Sequence, residues 1–157
     1  MKPLLLHLQN IGPFRSQSID FTQLADMFLV CGKTGAGKST IFNAITYALY
    51  GKLSGSHSQV NGARIRSDFA SPDEEASITF TFQLQDQCYQ VRRELPRDCI
   101  NRNGKTTTKP ESVEVYRKNG DSLQLLSNQK KEADTTLADL LGTPSASSAA
   151  ASTVCRS

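Results

Sequence analysis

Hydrophobic and polar residues alternate along three stretches in the middle of the chain, and this period of two predicts β-strands. The stretches are ASITFTFQL at 76–84, CYQVRREL at 88–95 and SVEVYRKNGD at 112–121. The third reaches Asn119-Gly120, a dipeptide typical of tight hairpin turns, so the LQLL that follows is expected to return as another strand. Together these stretches predict a small antiparallel sheet.

The front of the chain predicts strands of two kinds. LLLHLQN at 4–10 is apolar, SIDF at 18–21 alternates, and a Gly-Pro breaker pair between them allows the second strand to pair back on the first. MFLVC at 27–31 is instead a continuous apolar run that stops at Gly32. Such a run is typical of a strand that is buried on both faces.

Two other stretches repeat their apolar residues with the period of an α-helix. STIFNAITYALYG follows residue 38 and has an apolar stripe that ends before Gly51, a glycine placed to cap a helix. EADTTLADLLG at 132–142 has a similar stripe and ends at Gly142. The stripe of the first helix consists of Ile41, Ile45, Ala48 and Leu49. The whole pattern predicts an α/β fold with an antiparallel β-subdomain.

The segment between the buried run and the first helix reads GKTGAGKST, which has the phosphate-binding spacing Gly-x-x-x-x-Gly-Lys-Ser/Thr. Glycines allow successive backbone N–H groups to turn toward phosphates, and the helix adds its positive N-terminal end. We therefore expect Lys38 to reach the β- and γ-phosphates of ATP and Ser39 to ligate Mg²⁺. The predicted nucleotide site comprises Gly32, Lys33, Thr34, Gly35, Ala36, Gly37, Lys38, Ser39 and Thr40.

Binding and hydrolysis of a nucleotide place different demands on a sequence. In-line attack on the γ-phosphate usually needs a second acidic Mg²⁺ ligand at the end of a strand. No apolar run after the loop ends in Asp or Asp-Glu, and Asp139 falls on a helical pattern. The guanine-reading motif Asn-Lys-x-Asp is absent as well, which argues against a GTPase.

Length and composition add little to this interpretation. The chain has 157 residues, a net charge of +3 and four cysteines, none of them in a Cys-x-x-Cys pair. This spacing argues against a zinc site and against a disulfide framework. No apolar run is long enough for a signal-peptide core or a membrane span. We therefore expect a cytoplasmic chain without a membrane partner, forming one domain or a piece of a larger one.

Beyond the phosphate-binding loop, the chain resembles the N-terminal ATPase segment of the SbcC family, in the SMC-like branch of the ABC ATPases. The resemblance covers residues 1–142 and is carried by LHLQNIGPFRSQSIDF, by ALYGKL at the end of the first helix and by RSDFA. It implies the N-terminal half-domain, or lobe, of an ABC-ATPase-like P-loop NTPase fold. It also implies that Arg15, on the turn after the first strand, lies near the nucleotide.

In that family two ATPase halves at opposite ends of one long chain fold together, and a coiled coil joins them. Two such heads sandwich ATP and act on DNA ends with a nuclease subunit. The resemblance therefore implies four partners: an SbcD-like nuclease, the C-terminal ATPase half, a second head and the DNA backbone. It also implies association with the nucleoid.

The end of the chain departs from the family pattern. After DLLG the family continues into a segment containing LPQ, whose glutamine contacts Mg²⁺ and the attacking water. TPSASSAAASTVCRS at 143–157 stands there instead, and its low complexity predicts a disordered tail. We expect a truncated chain with little ATP turnover on its own.

The middle of the chain is basic. Residues 92–118 carry eight Arg and Lys against four Asp and Glu. Such a segment can follow a DNA backbone through phosphate contacts without sequence preference, and a solvated sheet face is the alternative. The candidate DNA contacts are Arg92, Arg93, Arg102 and Lys105.

Other classes of protein stay open on the residues alone. A transporter-type ATPase module would carry its glutamine loop, signature and acidic strand further along one domain. A small P-loop kinase would need an arginine-rich lid, for which RRELPRDCINRNGK at 92–105 is the candidate. A third possibility is a fragment without a stable fold, because the other half of the family's fold completes the sheet.

Overall fold

A computed structural model of the chain describes residues 1–24, 28–53, 65–100 and 104–142. The predicted disordered tail at 143–157 lies outside these ranges. Within them the chain starts with a β-hairpin and closes with a helix. The elements are β1 Lys2–Ile11, β2 Phe14–Asp20, α1 Lys38–Tyr50, β3 Ser77–Leu84, β4 Gln87–Glu94, β5 Arg97–Ile100, β6 Thr106–Lys109, β7 Ser112–Asn119, β8 Ser122–Ser127 and α2 Lys130–Leu141.

The predicted antiparallel sheet is confirmed and is larger than the sequence pattern indicated. Six strands pair in the order β2-β1-β3-β4-β7-β8, and every neighbouring pair is antiparallel. The first hairpin therefore joins the strands from the middle of the chain, because β1 pairs with β3. The predicted turn at Asn119-Gly120 connects β7 to β8.

One face of this sheet forms the core. Leu6 of β1 lies opposite Phe80 of β3, and Phe80 lies opposite Val91 of β4, so that alternation places all three on the same face. All three side chains are fully buried in a cluster that also contains residues of α1 and α2. Both helices pack on this face, which explains why strands with only one apolar side are stable here.

Both predicted helices are confirmed. The C-cap residues Gly51 and Gly142 have φ angles of 64° and 67°, the left-handed conformation that glycine adopts without steric cost. In α1 the buried residues are Ala44, Tyr47, Ala48 and Leu49, while Ile41 and Ile45 of the predicted stripe are only partly buried against the core. Among the described residues no helix is long and apolar enough to span a bilayer.

The predicted buried strand at 27–31 is wrong for the part of it that the structure describes. Residues 28–31 form no strand, and Leu29 is 85% exposed. A strand needs a neighbour to pair its backbone N–H and C=O groups, and within the described ranges none pairs with this segment. The Phe28 ring packs against that of Phe21, with a ring-centroid distance of 5.6 Å.

A short β-ribbon replaces the loop expected between the strands of the basic middle. β5 and β6 pair with each other as a separate two-stranded sheet. The signals for it were the Asn103-Gly104 dipeptide and the run of three threonines that follows, since both are typical of hairpins.

Candidate nucleotide-binding site

The segment GKTGAGKST forms a loop that leads directly into α1. Gly35 and Gly37 have φ angles of 84° and 87°, in the region that favours glycine, and Ala36 N–H donates to the Lys33 carbonyl at 3.2 Å. Gly37 is the N-cap residue of α1, which begins at Lys38. The glycine spacing of the sequence therefore produces a compact turn at the N-terminal end of a helix.

This helix end has the features of an anion-binding site. The first amides of an α-helix lack partners within the helix, and its N-terminal end carries a partial positive charge. Gly37 contributes no side-chain hydrogen bond to these amides, and the first turn of α1 contains no acidic residue. The amides are thus left for a ligand, and a phosphate group is the ligand that such a helix end favours.

The side chain of Lys38 folds back over the loop. Its Nζ donates to the carbonyl of Gly32 at 2.6 Å and to that of Lys33 at 2.7 Å. These two hydrogen bonds hold the ammonium group next to the glycine turn, where it adds a full positive charge to the partial charge of the helix end. Carbonyl groups are weaker partners for an ammonium than phosphate oxygens, so a phosphate can compete for it.

An open cavity of about 320 Å³ lies beside the loop. Its lining is Pro13, Thr34, Gly35, Gly37, Lys38, Ser39 and Thr40. Six of these seven residues belong to the predicted nucleotide site, and the seventh, Pro13, was not foreseen. The structure thus brings most of the predicted residues to one cavity. Of the remaining three, Gly32 and Lys33 accept from the Lys38 ammonium through their carbonyls, and Ala36 donates its N–H to the Lys33 carbonyl.

The turn between β1 and β2 packs against the glycine loop. A Cβ atom at Gly37 would lie 2.6 Å from the Phe14 ring and 2.7 Å from Pro13, and one at Gly12 would lie 2.6 Å from the Thr40 methyl group. These approaches are closer than real Cβ contacts allow. Gly37 is therefore required for close packing against the turn as well as for its backbone conformation.

Two distant segments hold this turn in place. Asn10, at the end of β1, has a φ of 52° and donates from its side-chain amide to the Glu75 carbonyl at 2.8 Å. Its carbonyl accepts from the Ser67 N–H at 2.9 Å, and Gly12 N–H donates to the Ile65 carbonyl at 2.9 Å. The stretch around residues 65–67 therefore supports the turn from behind, a role that no sequence pattern indicated.

Arg15 follows this turn, as expected, but it is not part of the cavity lining. Its side chain is 86% exposed, and its Nη2 lies 3.7 Å from Glu74 Oε1. Its predicted proximity to the nucleotide stays a prediction.

The residues present fit ATP and Mg²⁺. The Ser39 residue is exposed at the cavity, which suits a hydroxyl ligand for Mg²⁺. Among the described residues no group of three His, Cys, Asp or Glu side chains could hold a metal ion, and none of the cavity residues is acidic. A magnesium ion here would therefore take its other ligands from water and from the phosphate oxygens of the nucleotide.

The structure contradicts one of the predicted DNA contacts. Arg93 is fully buried on the core face of β4, where its guanidinium pairs with Glu111 and Asp134. It therefore has no surface to offer to a phosphate, because alternation along the strand turns it to the inner face.

The other predicted contacts are placed differently. Arg92 points to the opposite face of the sheet from Arg93, is 45% exposed and pairs with Glu75 at 2.7 Å. Lys105 is exposed just before β6. Arg102 lies outside the described residues. Arg92 and Lys105 thus stay as predicted DNA contacts that the structure leaves on the surface.

A model of a protein family described as an AAA domain matches residues 5–147. The match covers most of the chain, and the chain therefore belongs to this family, whose fold here is a mixed α/β domain with an antiparallel sheet.

Within the family the chain is similar to proteins named as the SbcC component of the nuclease SbcCD. It is 42% identical to that of Treponema pallidum over 90% of the chain, and 37% identical to that of Vibrio cholerae over 90%. The identity to the Staphylococcus aureus protein is 42% over 74%. These relatives confirm the resemblance to the SbcC family. The chain spans only 13%, 14% and 11% of their respective lengths.

Proposed function

We propose that this chain is the ATP-binding N-terminal lobe of an SbcC-type ATPase with a P-loop NTPase fold. The observation that carries the proposal is the cavity at the start of α1, where a glycine turn, a helix N-terminus and the Lys38 ammonium converge. Each of these features favours a polyphosphate, and the family and its SbcC-named relatives support ATP in particular.

The residues of the cavity would have separate roles in binding ATP and Mg²⁺. The loop amides and the Lys38 ammonium would hold the phosphates, and Ser39 would ligate Mg²⁺, which when bound neutralises phosphate charge. No acidic side chain lines the cavity within the described residues. Because in-line attack needs a group that orients the water, we propose that the isolated chain binds ATP with negligible turnover.

The test of the binding proposal is the substitution Lys38→Ala, followed by titration with Mg²⁺ and ATP. Removing a charged hydrogen-bond donor should weaken ATP binding by roughly 10- to 100-fold or more. Lys52→Ala is the matched control, because Lys52 is an exposed lysine that lies just after α1 and outside the cavity lining. Equal ATP affinity in the two variants would refute the assignment of the cavity.

We also propose that a C-terminal ATPase half covers the exposed apolar residues next to the loop. Leu29 is largely exposed, Phe28 and Phe42 are partly so, and residues 28–31 have an unpaired backbone within the described part of the chain. The relatives contain far more chain than this lobe. Adding the C-terminal segment of such a relative should slow amide exchange at residues 28–31, and unchanged exchange there would count against this partner.

The name of the relatives supports a wider assembly. We propose that the complete protein acts with an SbcD-type nuclease, dimerises head to head and processes DNA ends at the nucleoid in the cytoplasm. Its ATPase would then power the nuclease of the complex. The kinase alternative is not favoured, because residues 92–94 complete β4 and 97–100 form β5, where a mobile lid was required.

For DNA we propose phosphate contacts by Arg92 and Lys105, with Arg102 between them in sequence. Arg92 is on the open sheet face and Lys105 next to the β5–β6 ribbon, and both are exposed. Changing both to Ala should reduce the slope of log affinity against log salt by roughly 2, since each lost phosphate contact removes about 1. Lys52→Ala is again the control. An unchanged slope would assign these residues to a solvated sheet face.

A further inference from the structure

The fully buried guanidinium of Arg93 bonds to three separate parts of the fold. Its Nε donates to the Ala48 carbonyl of α1 at 3.0 Å, and its Nη1 donates to Glu111, just before β7, at 3.1 Å. Its Nη2 donates to Asp134 of α2 at 2.6 Å. A planar guanidinium is suited to such simultaneous bonds, because its donors point in fixed and different directions.

The surroundings of Arg93 balance its charge. Glu111 also accepts from Lys130 of α2 and from the Tyr47 hydroxyl, so that two cations and two carboxylates form one cluster. The Tyr47 ring lies 5.8 Å from the guanidinium carbon, within reach of a cation–π contact. Each of the three guanidinium nitrogens has a hydrogen-bond partner, and such a buried charge is costly to disturb, since breaking one pair leaves the other partner uncompensated.

The position of this cluster on α1 links it to the nucleotide cavity. α1 is a 13-residue helix that starts at Lys38 in the cavity and reaches Ala48 and Gly51 at the cluster. A Cβ atom at Gly51 would lie 3.1 Å from Arg93 Nη1, so the helix end and the guanidinium are in close contact. The two ends of one rigid helix therefore hold the phosphate loop and the Arg93 bonds.

We propose that Arg93 is a positioning residue that couples α1 to α2, so that the placement of the phosphate-loop helix and that of α2 depend on each other. One guanidinium holds the Ala48 carbonyl and the Asp134 carboxylate, and a shift of either helix lengthens a bond to the other. The link between the helices exists in the free protein, while its consequence for ATP rests on the proposed function.

The bond to Asp134 is the part of this link that a substitution can remove without leaving a cavity in the core. The Asp134 side chain is 37% exposed, so water can replace it when it is removed. Asp134→Ala deletes the direct bond between Arg93 and α2 and leaves the Ala48 and Glu111 bonds in place, together with the indirect link through Lys130 and Glu111. Asp139→Ala is the matched control, because it makes the same change at an exposed position of the same helix. Both variants gain the same helix propensity.

The experiment is amide hydrogen exchange of the 157-residue chain without nucleotide, comparing wild type with both variants. We expect Asp134→Ala to speed exchange roughly 10-fold at residues 47–51, the C-terminal turn of α1 and its cap, although the substitution is in α2. Asp139→Ala should change these amides by less than about 2-fold. Arg93→Lys, which keeps the charge but cannot make all three bonds, should resemble Asp134→Ala. Faster exchange confined to residues 130–141 in Asp134→Ala would overturn the coupling.

A second arm adds Mg²⁺ and ATP. In wild type the added nucleotide should slow exchange in α2 as well as at the loop, whereas in Asp134→Ala only the loop should respond. An equal response of α2 in both proteins would overturn the role of Arg93 toward the nucleotide. If the loop of wild type responds no more than that of Lys38→Ala, the ATP proposal fails instead, and the nucleotide-free arm still decides the coupling.

Discussion

The strand β3 has apolar residues on one face and the segment at residues 28–31 is apolar throughout, yet only β3 forms a buried strand. β3 lies between β1 and β4, and its Phe80 and Phe82 are fully buried beneath the helices. The segment at 28–31 has no strand beside it within the described residues, and Leu29 projects largely into solvent. Apolar character alone therefore does not make a strand here.

What separates the two regions is backbone pairing. β3 satisfies its N–H and C=O groups on both sides through antiparallel neighbours. An apolar segment without such neighbours must leave these groups to water, and its side chains then stay exposed with them. Within the described residues, the inner strands of the antiparallel sheet thus pair on both sides, whereas the segment at 28–31 has no pairing neighbour.

The largest effect on stability is expected from a substitution in β3. Phe80→Ala removes a fully buried ring from the middle of the sheet and should lower the free energy of unfolding by about 3–5 kcal/mol. Denaturant unfolding monitored by circular dichroism measures it. A loss below about 1 kcal/mol would show that this face is not a packed core and would remove the contrast with residues 28–31.

The next effect concerns the border between the two regions, where the β1–β2 turn meets the glycine loop. Gly37→Ala adds a Cβ to a left-handed backbone position and brings that Cβ too close to Phe14 and Pro13. It should lower the free energy of unfolding by about 2–4 kcal/mol. Gly35→Ala has the same backbone strain but no atom within 4 Å of the added Cβ, and should cost only about 1–2 kcal/mol. Denaturant unfolding of both variants measures the difference, and equal losses would mean that the turn yields to the added methyl group.

A pH titration of stability tests the burial of Tyr47, which lies in the core beneath the sheet. Burial, with the nearby Glu111 carboxylate, raises the pKa of Tyr47 above its ordinary value. The stability linked to its neutral form is therefore complete below about pH 10 and is lost as the pH rises above that value. Tyr47→Phe cannot ionise there, so the unfolding free energy of wild type relative to that of Tyr47→Phe should be about 1 kcal/mol lower at about pH 11 than at about pH 8.

The sign of this difference follows from the unfolded state. Above pH 10 the tyrosine of the unfolded wild-type chain loses its proton while the buried one keeps it, so wild type loses stability that Tyr47→Phe does not. Urea unfolding of both proteins across this pH range measures the effect. If the unfolding free energies of the two proteins change in parallel with pH, water reaches the Tyr47 hydroxyl and the prediction is wrong.

The smallest effect on stability is expected from a substitution in the segment at 28–31. Leu29→Ala should change the free energy of unfolding by less than about 0.5 kcal/mol, because the side chain is largely exposed already. The same denaturant experiment as for Phe80→Ala applies. A loss above about 1 kcal/mol would mean that Leu29 packs against the rest of this chain in solution.

Local patterns were sufficient for much of this fold. Alternation at 76–84 and 112–121, the helical periods and the capping glycines were all confirmed as strands and helices. They could be predicted because each depends on neighbours that are close in the chain. The β5–β6 ribbon was missed, although the sequence has a hairpin dipeptide shortly before β6, because its strands are short and mostly polar.

Neighbouring arginines illustrate what a pattern leaves undecided. Arg92 and Arg93 look equivalent as members of a basic segment, yet the strand turns Arg92 to the open face and Arg93 to the core. Alternation along CYQVRREL could have indicated this, since Tyr89 and Val91 share a face with Arg93. The compensating carboxylates of Glu111 and Asp134 come from distant positions, and no local signal predicts them.

By itself the sequence determined the glycine loop and the helix that follows it, because glycine conformations, a helix end and one lysine are properties of consecutive residues. It also determined the strands of the middle sheet. Tertiary structure alone decided that Pro13 joins the cavity, that Asn10 and the stretch at 65–67 support it, and that Arg93 is buried between two helices. These contacts join residues far apart in the chain, and only the packed fold brings them within bonding distance.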